Sequence, residues 1–92
     1  MTYKRITVHT RSYEAFSDLF AQIANLTLGA DEEQQVEGVK ITNDGDVEQD
    51  YLDTMKRKTD VAVLKVRGQA TKILQHGDVF EILLPMPEST LA

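Results

Sequence analysis

The feature of this sequence that most limits its fold is a change in the spacing of its apolar residues. Residues 3–10 alternate, with Ile6 and Val8 on one side, and this period of two predicts a half-buried strand. Residues 13–26 follow a helical period, and their apolar positions fall within an arc of about 140°. The apolar positions of this helix are Tyr13, Phe16, Leu19, Phe20, Ile23 and Leu26. A helix with one apolar stripe must pack that stripe on another element, so the pattern predicts an α+β domain.

Capping residues predict where two helices begin. Ser12 is a suitable N-cap for the first helix, and Gly29 supplies its end. The run 43–46, Asn-Asp-Gly-Asp, has the composition of a turn. A second helix is predicted to follow, with Asp46 as its cap and Gln49 completing a capping-box pair. The apolar stripe of the second helix comprises Val47, Tyr51, Leu52 and Met55.

Three further segments have the composition of strands: residues 36–42, 61–67 and 78–84. The acidic run 30–35 is read as an exposed connection. Residues 69–76 fit either a strand or a short helix. We favour a hairpin with a tight turn at His76-Gly77, because that turn places Lys72 opposite Glu81.

These elements predict a two-layer α/β sandwich in the order β-α-β-α-β-β-β. One mostly antiparallel or mixed sheet of four or five strands carries two amphipathic helices on one face. If residues 69–76 are helical, the order becomes β-α-β-α-β-α-β, and this helix could cover the other face as a third layer. Residues 1–85 are expected to form a single domain, and residues 86–92 a flexible tail.

The residues that carry most protein chemistry are sparse. The chain has no cysteine, and neither His9 nor His76 has a partner at metal-ligand spacing. The acids from Asp44 onward resemble the start of a calcium loop, but its sixth position is Gln49 and its twelfth is Met55. The glycines do not form a phosphate-binding loop. We therefore expect no catalytic residue, no metal and no cofactor, and we expect that the protein is not an enzyme.

The charge of the chain is unevenly distributed. The net charge is −5, and residues 31–53 alone hold nine acids against Lys40, a net charge of −8. Direct binding to nucleic acid is not expected, because phosphate contacts need clustered Lys and Arg. The polar N-terminus and the absence of a long apolar run lead us to expect a cytoplasmic protein that does not contact a membrane.

Two candidate binding surfaces follow from these patterns. On the predicted second helix, Asp46, Asp50 and Asp53 recur at i, i+4 and i+7, which predicts an acidic stripe for a basic partner. Solvated outer faces of helices often look the same. The second candidate is the sheet face away from the helices, where aliphatic and basic side chains mix as at protein interfaces. This candidate interface comprises Tyr3, Arg5, His9, Val61, Val63, Lys65 and Arg67.

Three functional hypotheses remain open. The first is a small non-enzymatic binding or regulatory protein that contacts another protein or itself, as a homodimer through the open sheet face. The second is an acidic nucleic-acid mimic that inhibits a basic DNA- or RNA-processing enzyme, like phage-encoded anti-restriction or anti-CRISPR proteins. The third is a small metabolite-binding domain with a pocket between helix and sheet.

Overall fold

Strands dominate the part of the chain that the computed structural model describes, which is residues 2–26, 28–29, 31–66 and 69–85. The elements are β1 (Thr2–His9), α1 (Tyr13–Ala24), β2 (Glu33–Val36), β3 (Val39–Glu48), α2 (Gln49–Lys56), β4 (Val61–Val66), β5 (Gln69–His76) and β6 (Val79–Pro85). One sheet contains all six strands in the order β2-β3-β1-β6-β5-β4, and every pairing is antiparallel. The α+β class is confirmed, with six strands in place of the expected four or five.

The first strand and the start of the first helix agree with the prediction. The Ser12 side chain accepts a hydrogen bond from the Ala15 backbone N–H at 3.1 Å, as an N-cap does. The helix ends at Ala24, five residues before the predicted stop at Gly29. The backbone N–H of Asn25 bonds to carbonyls of the last turn and closes the helix there.

The acidic segment that was expected to be a connection contains a strand. Residues 33–36 pair with β3 through a two-residue turn, Glu37-Gly38. Both turn residues have positive φ, 50° and 83°, which is the backbone sign of a type I′ turn. This turn was missed because Glu-Gly is a weaker hairpin signal than Asn-Gly.

The predicted turn at residues 43–46 is wrong, because this run forms a bulge inside β3. Lys4 lies opposite Asp46, whereas Ile6 lies opposite Asn43, so one extra β3 residue is inserted between the two pairs. Gly45 takes a φ of 89°, and its N–H bonds to the Asn43 side chain at 2.9 Å. Asn43 and Gly45 are residues that favour a chain reversal. Here they bend a continuous strand instead, because the residues on both sides of the bulge stay paired with β1.

The second helix starts later than predicted for the same reason. Asp46, Val47 and Glu48 remain paired with β1, so α2 begins at Gln49. Its N-cap is Glu48, which makes no side-chain capping bond. The predicted capping pair of Asp46 and Gln49 is therefore not formed.

Residues 69–76 are a strand, as we favoured, but the predicted register is wrong by two residues. The turn is Gly77-Asp78, so Leu74 lies opposite Glu81, and Lys72 lies opposite Leu83. Gly77 has a φ of 58° and takes the first turn position, where a type II′ turn needs glycine. A shift of two residues keeps every side chain on its predicted face.

The two helices cover opposite faces of the sheet, and the expectation of both on one face is wrong. Neighbouring residues of one strand, such as Ile82 and Leu83, belong to separate clusters and point to opposite faces. On the α1 face, the helix packs on Ile6, Val8, Ile41, Ile73, Phe80 and Ile82. On the α2 face, Leu52 packs with Tyr3, Leu74 and Leu83. Two-sided apolar strands need a cover on each side, so the described residues form three layers.

Two predictions concern residues outside the described part of the chain and stay untested. Residues 86–92, the predicted tail, lie outside the described residues, as does Arg67 of the candidate interface.

Leu52→Ala tests whether α2 is an integral layer. Leu52 is fully buried, so its truncation should lower the free energy of unfolding by about 2–5 kcal/mol. The control is Thr54→Ala on the exposed side of α2, which should change stability by less than about 0.5 kcal/mol. Urea unfolding measures both. Equal effects of the two variants would contradict the packing of α2 on the sheet.

Candidate functional site

The candidate interface on the sheet is divided by α2, which covers part of it. Tyr3 is buried in the α2 cluster, and its hydroxyl donates a hydrogen bond to Gln49 of the helix at 2.9 Å. Arg5 is half-buried, and its guanidinium lies 5.2 Å from the ring centre of Tyr51. These two residues therefore hold the helix and do not form an open surface.

The other members of the candidate interface lie at two distant places. His9 is exposed at the end of β1, with Nε2 3.3 Å from the Thr42 hydroxyl. Val61 packs against the α2 cluster. Val63 and Lys65 are exposed on β4, the last strand of the sheet. Only this last pair forms part of an accessible surface near a sheet edge.

The predicted acidic stripe does not lie on one helix. Asp46 belongs to β3, whereas Asp50 and Asp53 are exposed on α2. Asp53 accepts a hydrogen bond from the Gln49 side chain at 3.1 Å. The helical spacing on which the stripe was based is absent, because the strand continues through Glu48.

Beneath α2 lies a buried carboxylate, which the sequence suggested only as a cross-strand partner of Lys72. Glu81 is only 4% exposed. The Tyr51 hydroxyl donates a hydrogen bond to its Oε1 at 2.5 Å, and His76 Nε2 bonds to its Oε2. His76, expected to be a turn residue, is thus the last residue of β5 and a partner of this carboxylate.

The polar network extends along β1 to the bulge. Arg5 Nε lies 3.8 Å from Asp44 Oδ2, and the Thr7 hydroxyl bonds to the same oxygen. The bulge at Gly45 therefore places a carboxylate beside the arginine. Because Arg5 also lies over Tyr51, the network joins β3, β1, α2 and β6.

This environment changes two pKa values. Burial, followed by the hydrogen bond to Glu81, raises the pKa of Tyr51 above the usual tyrosine value of about 10. Burial acts to lower the pKa of Arg5, but its interactions with Tyr51, Glu81 and Asp44 outweigh burial and raise it. Tyr51 therefore stays neutral and Arg5 charged across the physiological range.

The network serves packing better than acid–base chemistry. Both oxygens of Glu81 are already hydrogen-bonded, and the carboxylate has almost no contact with solvent. A general base needs to reach the proton of a bound substrate. The partners of Glu81 satisfy a buried charge and fasten α2 to the sheet.

The most exposed apolar surface of the sheet lies on β4. Val63 is 53% exposed on the α2 face, and Leu64 is 38% exposed on the α1 face. The two helices cover the central strands, and neither apolar cluster includes a described β4 residue beyond Val61. No strand in the described part of the chain pairs with the outer side of β4. An edge strand whose outer backbone groups are unpaired and whose aliphatic side chains are exposed can accept another strand.

A groove on the α2 face runs alongside this strand. Its volume is about 380 Å³, and it lies between the end of α2 and strands β4 and β5. Its lining residues are Lys56, Thr59, Asp60, Val61, Val63 and Lys72. Two lysines beside two valines favour an occupant that carries both apolar and acidic groups.

The sheet separates charge between its two edges. Residues 31–48, around β2 and β3, hold seven exposed acids against Lys40. From Lys56 to Lys72, the described residues hold five bases against Asp60. Since β2 and β4 are the outermost strands, the molecule has an acidic edge and a basic edge.

Two kinds of feature, a metal-ion cluster and a membrane-spanning helix, are absent from the described residues. They contain no group of three or more His, Asp or Glu side chains arranged to hold a metal ion. No helix formed by them is long and apolar enough to cross a membrane. Comparisons with protein-family models, curated protein sequences and solved structures found no match to this chain.

Sequence reasoning identified Val63 and Lys65 but missed the features that complete the β4 edge. Leu64 was not among the candidate interface residues, and Lys56 and Lys72 were not connected with this edge. Strand composition alone does not say which strand is outermost, because strand order depends on long-range pairing. The acid-rich edge was visible as the charge of residues 31–53, although its position on β2 and β3 was not.

Tyr51→Phe tests the role of the buried network. Loss of the hydroxyl removes one partner of Glu81, so stability at pH 7 should fall by about 1–3 kcal/mol. In the parent protein, the raised pKa of Tyr51 means that the folded state holds this proton more tightly. Its contribution is complete below about pH 10 and is lost as pH rises through the folded-state pKa.

The measurement is unfolding as a function of pH, with tyrosinate absorbance recorded alongside. The parent should show a tyrosine that ionises above the usual range, and Tyr51→Phe should lack it. Tyr13→Phe is the matched control, because Tyr13 is an exposed tyrosine on α1. Identical high-pH profiles for the parent and Tyr51→Phe would contradict the network.

Proposed function

We propose that this protein is a small, non-enzymatic binding protein that engages a protein partner through the edge of β4. The partner adds an extended segment to this edge, as in other cases of strand addition. The observation that carries the proposal is the combination of an open edge strand with exposed Val63 and Leu64. This replaces the broad sheet face of the sequence hypothesis, which α2 covers in part.

The surroundings of β4 indicate the chemistry of the segment. Backbone hydrogen bonds to an edge strand supply affinity, and alternate side chains supply specificity. Residues of the segment on the α2 face meet the groove with Lys56 and Lys72, so acidic side chains suit them. Residues on the α1 face meet Leu64, which favours apolar side chains there.

A metabolite-binding domain is the second candidate, because the groove has the volume of a small-molecule site. Its two lysines favour a small anion in that case. We rank it lower because such pockets are mostly apolar, and four of the six lining residues here are polar or charged. The acidic-mimic hypothesis loses the helical spacing of Asp46, Asp50 and Asp53 that supported it, and it ranks third.

Binding of a synthetic peptide that alternates valine and glutamate tests the proposal. In NMR spectra of the labelled protein, we expect amide shifts concentrated on β4 and beside the groove. Val63→Ser with Leu64→Ser should weaken binding at least about tenfold, because both apolar contacts are removed. Tyr13→Ser is the control: it removes another exposed apolar side chain, on α1, and should leave binding unchanged.

A second titration with succinate separates the two leading candidates. If succinate causes the same shifts at similar concentrations, the groove is a small-anion site and the strand-addition proposal is wrong. If the peptide causes no shift on β4 at millimolar concentration, the proposal is also wrong. Thermal unfolding checks that each variant is folded.

A further inference from the structure

The two outer strands of the sheet run in opposite directions. The sheet has an even number of strands, and each neighbouring pair is antiparallel, so β2 and β4 are antiparallel to each other. A second copy, shifted sideways in the same orientation, brings its β2 alongside β4 of the first. The new pairing is antiparallel and continues the alternation of the sheet.

The charges of the two edges favour this contact over pairing of like edges. The β2 edge is acidic and the β4 edge is basic. Two β4 edges would bring Lys56, Lys65 and Lys72 of both copies together, and two β2 edges would bring the acids together. Like charges across an interface are unfavourable, and opposite charges select the partner and its orientation.

The faces to which the side chains of β2 and β4 point allow one defined pairing register between the two edges. The chain of paired residues places Glu33 and Lys65 on the same α2 face of the sheet. With Glu33 of one copy opposite Lys65 of the next, all four β2 residues pair with residues 62–65 of β4. Gln35 then lies opposite Val63 and Gln34 opposite Leu64, so this register places no like charges opposite each other.

We propose that copies of this chain associate head to tail, with the acidic β2 edge of one copy on the basic β4 edge of the next. The proposal rests on the proposed function, since it names the protein segment that β4 accepts. Such a contact joins two different surfaces, so assembly does not stop at a dimer. A single strand-to-strand contact buries less than the roughly 1,000 Å² typical of stable complexes, so association should be weak and depend on concentration.

Sedimentation velocity over a hundredfold range of concentration tests the proposal, with two single charge reversals. Lys65→Glu makes the β4 edge less basic, and Glu33→Lys makes the β2 edge less acidic. Both side chains are exposed, and both variants should fold. We expect the parent to form dimers and larger species as concentration rises, and each variant alone to associate at least about tenfold more weakly.

Mixing the two variants in equal amounts is the decisive step. In the mixture, the acid introduced by Lys65→Glu faces the base introduced by Glu33→Lys, so association should recover to near the parent level. Raising the salt concentration from 0.05 to 0.5 M should weaken association of the parent about tenfold or more, because the paired charges are exposed. As the control, Gln75→Glu is added to Glu33→Lys in the same chain; this exposed position on β5 lies away from the β4 edge, so the double variant should associate as weakly as Glu33→Lys alone.

Failure of this inference can be told apart from failure of the proposed function. Association that stops at a dimer and is unaffected by Glu33→Lys would mean a contact that does not use the β2 edge, and would overturn the head-to-tail arrangement alone. A strict monomer at millimolar concentration that still binds the valine–glutamate peptide on β4 would also overturn only this inference. A monomer that binds no peptide would overturn both.

Discussion

The burial of β5 and β6 on both of their faces is the constraint on which the rest of this structure depends. Ile73 and Leu74 on one strand, with Ile82 and Leu83 on the next, point in pairs to opposite sides of the sheet, and all four are buried. If either face of this strand pair were open to water, two large aliphatic side chains would be exposed. One helix must therefore cover each face, and the positions of α1 and α2 follow from this requirement.

A buried charge accompanies the packing of the smaller helix. Glu81 lies between Phe80 and Ile82 on β6, whose side chains point to the α1 face. Because side chains alternate along a strand, the carboxylate of Glu81 lies on the other face, beneath α2. Unpaired, such a group is costly, and the bonds from Tyr51 and His76 offset that cost. Because hydrogen bonds require defined directions, the network also selects one position of the helix on the sheet.

The short length of α2 leaves part of its face of the sheet uncovered at β4. Eight residues span about 12 Å at the rise of an α-helix, whereas six strands span about 24 Å across the sheet. The helix covers the centre, and β4 extends past the apolar clusters beyond Val61. The exposure of Val63 on the α2 face is a consequence of this geometry, and the bases around β4 make this edge opposite in charge to the β2 edge.

Local sequence determined the elements whose signals lie within a few residues: β1, the start of α1 at Ser12, the strand composition of β4 and β6, and the concentration of acids in residues 31–53. Tertiary structure decided the features that depend on distant pairing. Asn43-Asp44-Gly45-Asp46 has the composition of a turn and becomes a bulge because β1 pairs with both of its flanks. Strand order, the opposite faces of the helices and the open edge at β4 have no local signal. They depend on which apolar surfaces meet across the whole chain, and that is settled only when the sheet is complete.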